Sequence, residues 1–88
     1  MATQNNSSSN SQSMVVEKSD FDYITLAERD GMTKELKFQI MNPEARPGDV
    51  LIVLDGSEVC FHGFIAGITD GWGFASDPGV SLLPARNS

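Results

Sequence analysis

Cysteine, histidine and tryptophan occur once each in 88 residues. A single cysteine, Cys60, excludes an internal disulfide. A zinc site would need two or more ligands beyond Cys60 and His62, and only carboxylates remain to supply them, so no metal is expected. Basic residues are scarce: six Lys and Arg stand against twelve Asp and Glu, for a net charge of −6. Nucleic-acid binding needs cations to displace counterions from phosphate, so no nucleic-acid partner is expected. An acidic surface serves solubility or attracts a basic partner. A nucleic-acid mimic would carry denser acidic runs than this chain, in which no two acidic residues are adjacent.

No stretch approaches the ~20 apolar residues of a membrane span. The N-terminus has neither the basic region nor the apolar run of a signal peptide. The expectation is therefore a protein without membrane association, cytoplasmic or virion-associated. Glycine-rich phosphate cradles are missing too: "GWG" and "HGFIAG" do not make G-x-G-x-x-G between a strand and a helix. No cofactor is expected.

Apolar residues are almost absent from the first thirteen positions, MATQNNSSSNSQS. Such a segment cannot bury enough surface to offset chain entropy. Residues 1 to 19 read as a disordered Ser/Asn/Gln-rich tail, and residues 20 to 84 as one small domain. Ser19-Asp20 has the chemistry of a helix cap, but no helical period follows it.

From Phe21 onward the chain is strand-like. Ile24 and Leu26 alternate with polar residues, and the "RDGM" turn offers the positive φ angles of a tight hairpin. Leu36, Phe38 and Ile40 then share one face of "KELKFQI", opposite Glu35, Lys37 and Gln39. Pro43, Pro47 and Gly48 break the pattern into a loop. "VLIVL" is an unbroken apolar run, as in a strand covered on both faces.

A long strand follows in "SEVCFHGFIAGI". A bulge at Gly63 would bring Val59, Phe61, Phe64, Ala66 and Ile68 to one core. A further Asp-Gly turn leads to "WGFA", and Leu82 and Leu83 pack at the end before the chain frays from Pro84. The count is five strands, with Phe38, Ile52 and Phe61 in the core. The pattern implies an all-β fold, a small five-stranded, partly open barrel of the SH3-like or OB-like kind.

Catalytic residues are not evident. Cys60 and His62 are two apart on a strand, which hinders the direct hydrogen bond of a Cys–His pair, and no third group orients the imidazole. Cys60 reads as an inert, partly buried residue. The Asp residues of the three Asp-Gly pairs are demanded by hairpin geometry. Function is expected at a rim formed by Asp30, Asp55, Asp70, Asp77, His62 and Trp72. A cationic partner would meet the carboxylates, and Trp72 would supply an apolar anchor. Trp72 also suits a core position, though its place directly after a turn favours the rim.

The segment from residue 24 to 68 contains "ERDG", "FQIMNP", "RPGDVLIVLDG" and "VCFHGFIAGI". On these motifs it resembles the barrel modules of phage tail hub and baseplate proteins of the late-control protein D type. The resemblance implies a structural, non-catalytic role in a virion or a related injection machine. "PGDVLIVLDGSEV" is also similar to the "GD-x-V-V-V" strand of LexA-type self-cleaving domains. Those place a catalytic Lys on the next strand, and Glu58 to Ile68 contains none. The expected function is thus a non-catalytic protein-binding module that engages a protein partner or assembles with itself. The alternatives are a small acidic inhibitor or adaptor for a host protein, and a small hydrolase using Cys60 and His62.

Overall fold

The tight turns fix the strand plan. In a computed structural model describing residues 12 to 86, Asp30 and Gly31 take φ of +55° and +81°, and Asp70 and Gly71 take +53° and +82°. Positive φ at both central residues defines type I′ hairpins, whose twist matches the strands they join. The third pair differs. Asp55 is the last strand residue, paired with Glu58, and only Gly56 has positive φ, at +66°. That is the φ pattern of a type II′ turn with Gly first.

The chain is all-β. Its strands are β1 (Ser13–Glu17), β2 (Ile24–Arg29), β3 (Met32–Gln39), β4 (Val50–Asp55), β5 (Glu58–Thr69) and β6 (Trp72–Ser76). They form one mixed, open sheet in the order β1-β4-β5-β6-β3-β2. Among the described residues the strand count is six, not the five expected. The extra strand, β1, lies in the segment read as a tail, and it pairs parallel with β4. Its inward residues Met14 and Val16 pack against the core. Three short apolar side chains among polar ones are too faint a sequence signal for an edge strand. Residues 1 to 11, for which disorder was expected, lie outside the described residues.

Asp49, in the "RPGD" corner, holds β1 in place. It is only 2% exposed. Its carboxylate accepts hydrogen bonds from the Arg46 N–H at 2.9 Å and from the Gln12 N–H and Nε2, each at 3.2 Å. Burial alone would raise the Asp49 pKa, but these donors outweigh it and hold the carboxyl below its ordinary value of 3.8. The folded-state pKa is depressed, so the stabilisation is present above pH 3.8 and is lost as pH falls through the lower folded value. Asp49→Ala should cost about 1–3 kcal/mol at neutral pH by orphaning buried donors. Urea midpoints at pH 6 and pH 3 check this: the gap between variant and wild type should shrink at the lower pH.

The core lies inside the curled sheet, around Leu36, Phe38, Leu51, Val53, Phe61, Ile65 and Leu83, with Phe21 and Tyr23 stacked at 5.4 Å between centroids. Phe38 and Phe61 are buried as expected. Ile52 is only half-buried, because β4 alternates: Leu51 and Val53 point in, and Val50, Ile52 and Leu54 point out.

The bulge expected at Gly63 is not there, since Gly63 pairs regularly with Leu51. The extra residues are Cys60, between pairs Val53–Phe61 and Leu54–Val59, and Ala66, between Ile65–Ala75 and Gly67–Phe74. Consequently Phe61, Gly63 and Ile65 face the core, while Val59, Phe64 and Ala66 face outward and Ile68 is half-buried. Gly63 is needed for close approach. A Cβ there would meet the Ser76 carbonyl group and stand 2.8 Å from a Phe61 ring carbon.

Residues 77 to 86 close one end of the sheet. Leu82 N–H bonds to the Cys60 carbonyl at 2.8 Å, Thr33 N–H to the Leu83 carbonyl at 2.7 Å, and Ala85 N–H to the Gly31 carbonyl at 3.0 Å. Leu83 plugs the core, whereas Leu82 is exposed. The segment stays ordered past Pro84, where fraying was expected: the Pro84 carbonyl accepts the Tyr23 hydroxyl at 2.6 Å, and the Arg86 carbonyl accepts the Thr25 N–H at 2.7 Å.

Candidate functional site on the outer face of β5

The topology separates the residues expected at one rim. β4, β6 and β2 run one way, and β5 and β3 the other. Asp30 and Asp55 therefore stand at one end of the sheet, and Asp70 and Trp72 at the opposite end. Asp55 pairs with Lys18 at 3.3 Å. Trp72 lies on the outer face with the Lys37 ammonium 5.2 Å from its ring centroid. His62 sits within β5, exposed and opposite Ile52.

Asp77 is not a surface carboxylate. It is 5% exposed, and both its oxygens are occupied. Oδ1 accepts the Gly79 N–H at 2.8 Å, closing a turn over Pro78, and Oδ2 accepts the His62 N–H at 3.1 Å. The side chain thus ties the C-terminal segment to β5 rather than offering itself to a partner.

That tie creates a groove of about 510 Å³ between β5 and the C-terminal segment, with Asp77 beneath it and Val59, His62, Phe64 and Val80 along it. Val80 is 91% exposed and Phe64 42%, and Val59 and Leu82 are also open to solvent. A second hollow of about 370 Å³, between Val80 and Leu82 on one side and Asp30 and Lys34 on the other, begins where the first ends. Val80 is the ridge between them. The result is a set of exposed apolar side chains bordered by the His62 imidazole, the Asp30 carboxylate, the Lys34 ammonium and the Arg29 guanidinium.

Cys60 contributes backbone more than chemistry. Its Sγ donates to the Val53 carbonyl at 3.3 Å, and the thiol is buried. Burial, and then the Asp55 carboxylate, push its pKa up, which keeps the thiolate scarce at neutral pH. His62 is solvent-exposed on the outward side of the same strand. Among the described residues, no three His, Cys, Asp or Glu side chains converge as metal ligands, and no helix is long and apolar enough to cross a membrane.

Sequence reasoning did not single out Phe64, Val80 and Leu82. Phe64 was assigned to the core through the misplaced bulge. The signal for Val80 and Leu82 lies in "SDPGVSLLP", where apolar residues follow a Pro-Gly turn without an alternating strand pattern to bury them. No family model, no curated protein and no solved structure matches this chain.

Proposed function

We propose that this chain is a non-catalytic protein-binding module, working as a component of a phage tail or of virion assembly, in the cytoplasm or in the virion. The observation that carries the reading is that Val59, Phe64, Val80 and Leu82 stand in solvent around two hollows that meet at Val80. Exposed apolar side chains gathered around neighbouring hollows, with polar groups between and beside them, fit the anatomy of a protein interface. The curled sheet, capped at one end by residues 77 to 86, supports reading the domain as a partly open small barrel of the SH3-like or OB-like kind. A second reading, an acidic inhibitor or adaptor for a host protein, draws on the net charge of −6 and on exposed Asp30, Asp55 and Asp70.

The test is Phe64→Asp. Phe64 is on the outer face, so the fold should survive, which circular dichroism would check. A charge placed in the centre of an interface removes an anchor and buries an unpaired carboxylate, so binding should weaken by about thirtyfold or more. The readout is co-elution of the chain with a larger assembly in extracts of its native source. Unchanged co-elution of the folded variant would reject this face as the interface.

A further inference from the structure

The two edges of the sheet are treated differently. Exposed edges invite further strand pairing, and proteins usually blunt them with bulges, charges or a covering segment. The β2 edge has all three: register breaks around Leu26 and Ala27, the charged pair Glu28 and Arg29, and Arg86 bonded through its backbone N–H and carbonyl to Thr25. Among the described residues, the β1 edge is blunted only by its shortness and by Glu17 at its end, with no bulge and no covering segment. Its five residues, SMVVE, contain no Pro, Gly or Lys, and its ladder is with β4 alone. Alternate backbone N–H and C=O groups of β1 therefore point away from the sheet. Val15, on the outer face, is 57% exposed.

Beneath this edge lies a cavity of about 390 Å³, lined by Met14 and Val16 together with Phe21, Phe38 and Leu51, with Asp20 and Asp22 beside them. Asp20 makes no ion pair among the described residues, and Asp22 is only within 3.8 Å of the Arg86 guanidinium while fully open to solvent. Two carboxylates thus stand beside an apolar hollow at a backbone edge that no described residue pairs with.

We propose that the free edge of β1 binds an extended, basic segment of a partner protein as a seventh strand, with an apolar side chain entering the cavity under Met14 and Val16. Residues directly opposite each other in a ladder share a face. Residues of the added strand opposite Met14 and Val16 therefore point toward the cavity, and Lys or Arg flanking them meets Asp20 and Asp22. Main-chain bonds would give the affinity and the pocket the selectivity. Charge selects against a second copy of this chain, which would bring another −6 and no cation from its own β1. The site is separate from the outer groove, since β4 stands between β1 and β5, and neither needs the other.

The experiment titrates the full chain with the synthetic peptide Lys-Thr-Leu-Thr-Val-Thr-Lys and with its Glu-for-Lys counterpart, following amide hydrogen exchange by NMR. The Lys peptide should slow exchange at alternate amides within residues 13 to 17 and leave residues 59 to 64 unchanged. Asp20→Asn with Asp22→Asn, both at exposed positions, should weaken it by about tenfold. No binding, equal binding of the two peptides, or protection elsewhere overturns the proposal. So does protection of β1 in the free chain: if concentration-dependent, a second copy occupies the edge, and if not, residues 1 to 11 of the chain itself do.

Discussion

Phe61→Ala is expected to cost about 3–5 kcal/mol, close to the whole stability of a domain this small. Phe61 is fully buried and sits on β5, the longest strand, opposite Val53 and one position beyond the Cys60 bulge. Its ring also reaches the space above Gly63. Truncation leaves a cavity where β4 and β5 meet, and the ladders that hold β5 to β4 and β6 keep the backbone from collapsing into the void. Urea unfolding should show a transition shifted to very low denaturant or no folded baseline. A midpoint within a few tenths molar of wild type would mean that the β5 register described above is wrong.

Gly63→Ala should be nearly as damaging, although it adds only one methyl group. Gly63 has an ordinary φ, so the cost does not come from backbone strain. It comes from space: the new Cβ would lie 2.7 Å from the Ser76 carbonyl carbon and 2.8 Å from a Phe61 ring carbon. The first neighbour is backbone of β6, held by its ladders to β3 and β5, and the second is the core aromatic. Overpacking of this kind typically costs about 1–3 kcal/mol and sometimes more; the backbone clash places this site at the upper end. Gly67, where an added Cβ meets nothing within 4 Å, is the internal control. Gly67→Ala should unfold within about 1 kcal/mol of wild type. Equal effects at the two positions would remove the close-approach explanation.

Much of the sheet was legible because its signals are local. Asp30-Gly31 and Asp70-Gly71 specify type I′ turns by dihedral preference alone, and the alternation of Leu36 and Phe38 against Glu35 and Lys37 fixes which face of β3 is buried. What could not be read depends on distant contacts. β1 is held by distant partners: its ladder with β4, the core beneath Met14 and Val16, and Asp49, thirty-seven residues from the Gln12 it receives. Gly63 looked like a bulge because glycine in a strand signals either a bulge or a close approach, and only the position of Ser76 distinguishes them. That one ambiguity puts Phe64 on the wrong face and hides the β5 side of the candidate site. Asp77 followed the same logic. Its side chain has a local partner in the Gly79 N–H, two residues on, but the His62 N–H that takes its other oxygen becomes a neighbour only once the chain has folded back on β5.

The proposed function has the chain acting through the outer face of β5 and the C-terminal segment, by binding and without nucleophilic chemistry at Cys60. The most direct measurement places Cys60→Ser and Phe64→Asp side by side in the native source and quantifies how much of each folded variant remains in the assembly that retains the wild type. Cys60→Ser keeps the buried position and the acceptor at Val53 within reach of a hydroxyl, so it should remain at the wild-type level. Phe64→Asp should be largely lost from the assembly. The reverse pattern, a folded Cys60→Ser that is lost or inactive beside a Phe64→Asp that is retained, would contradict the account.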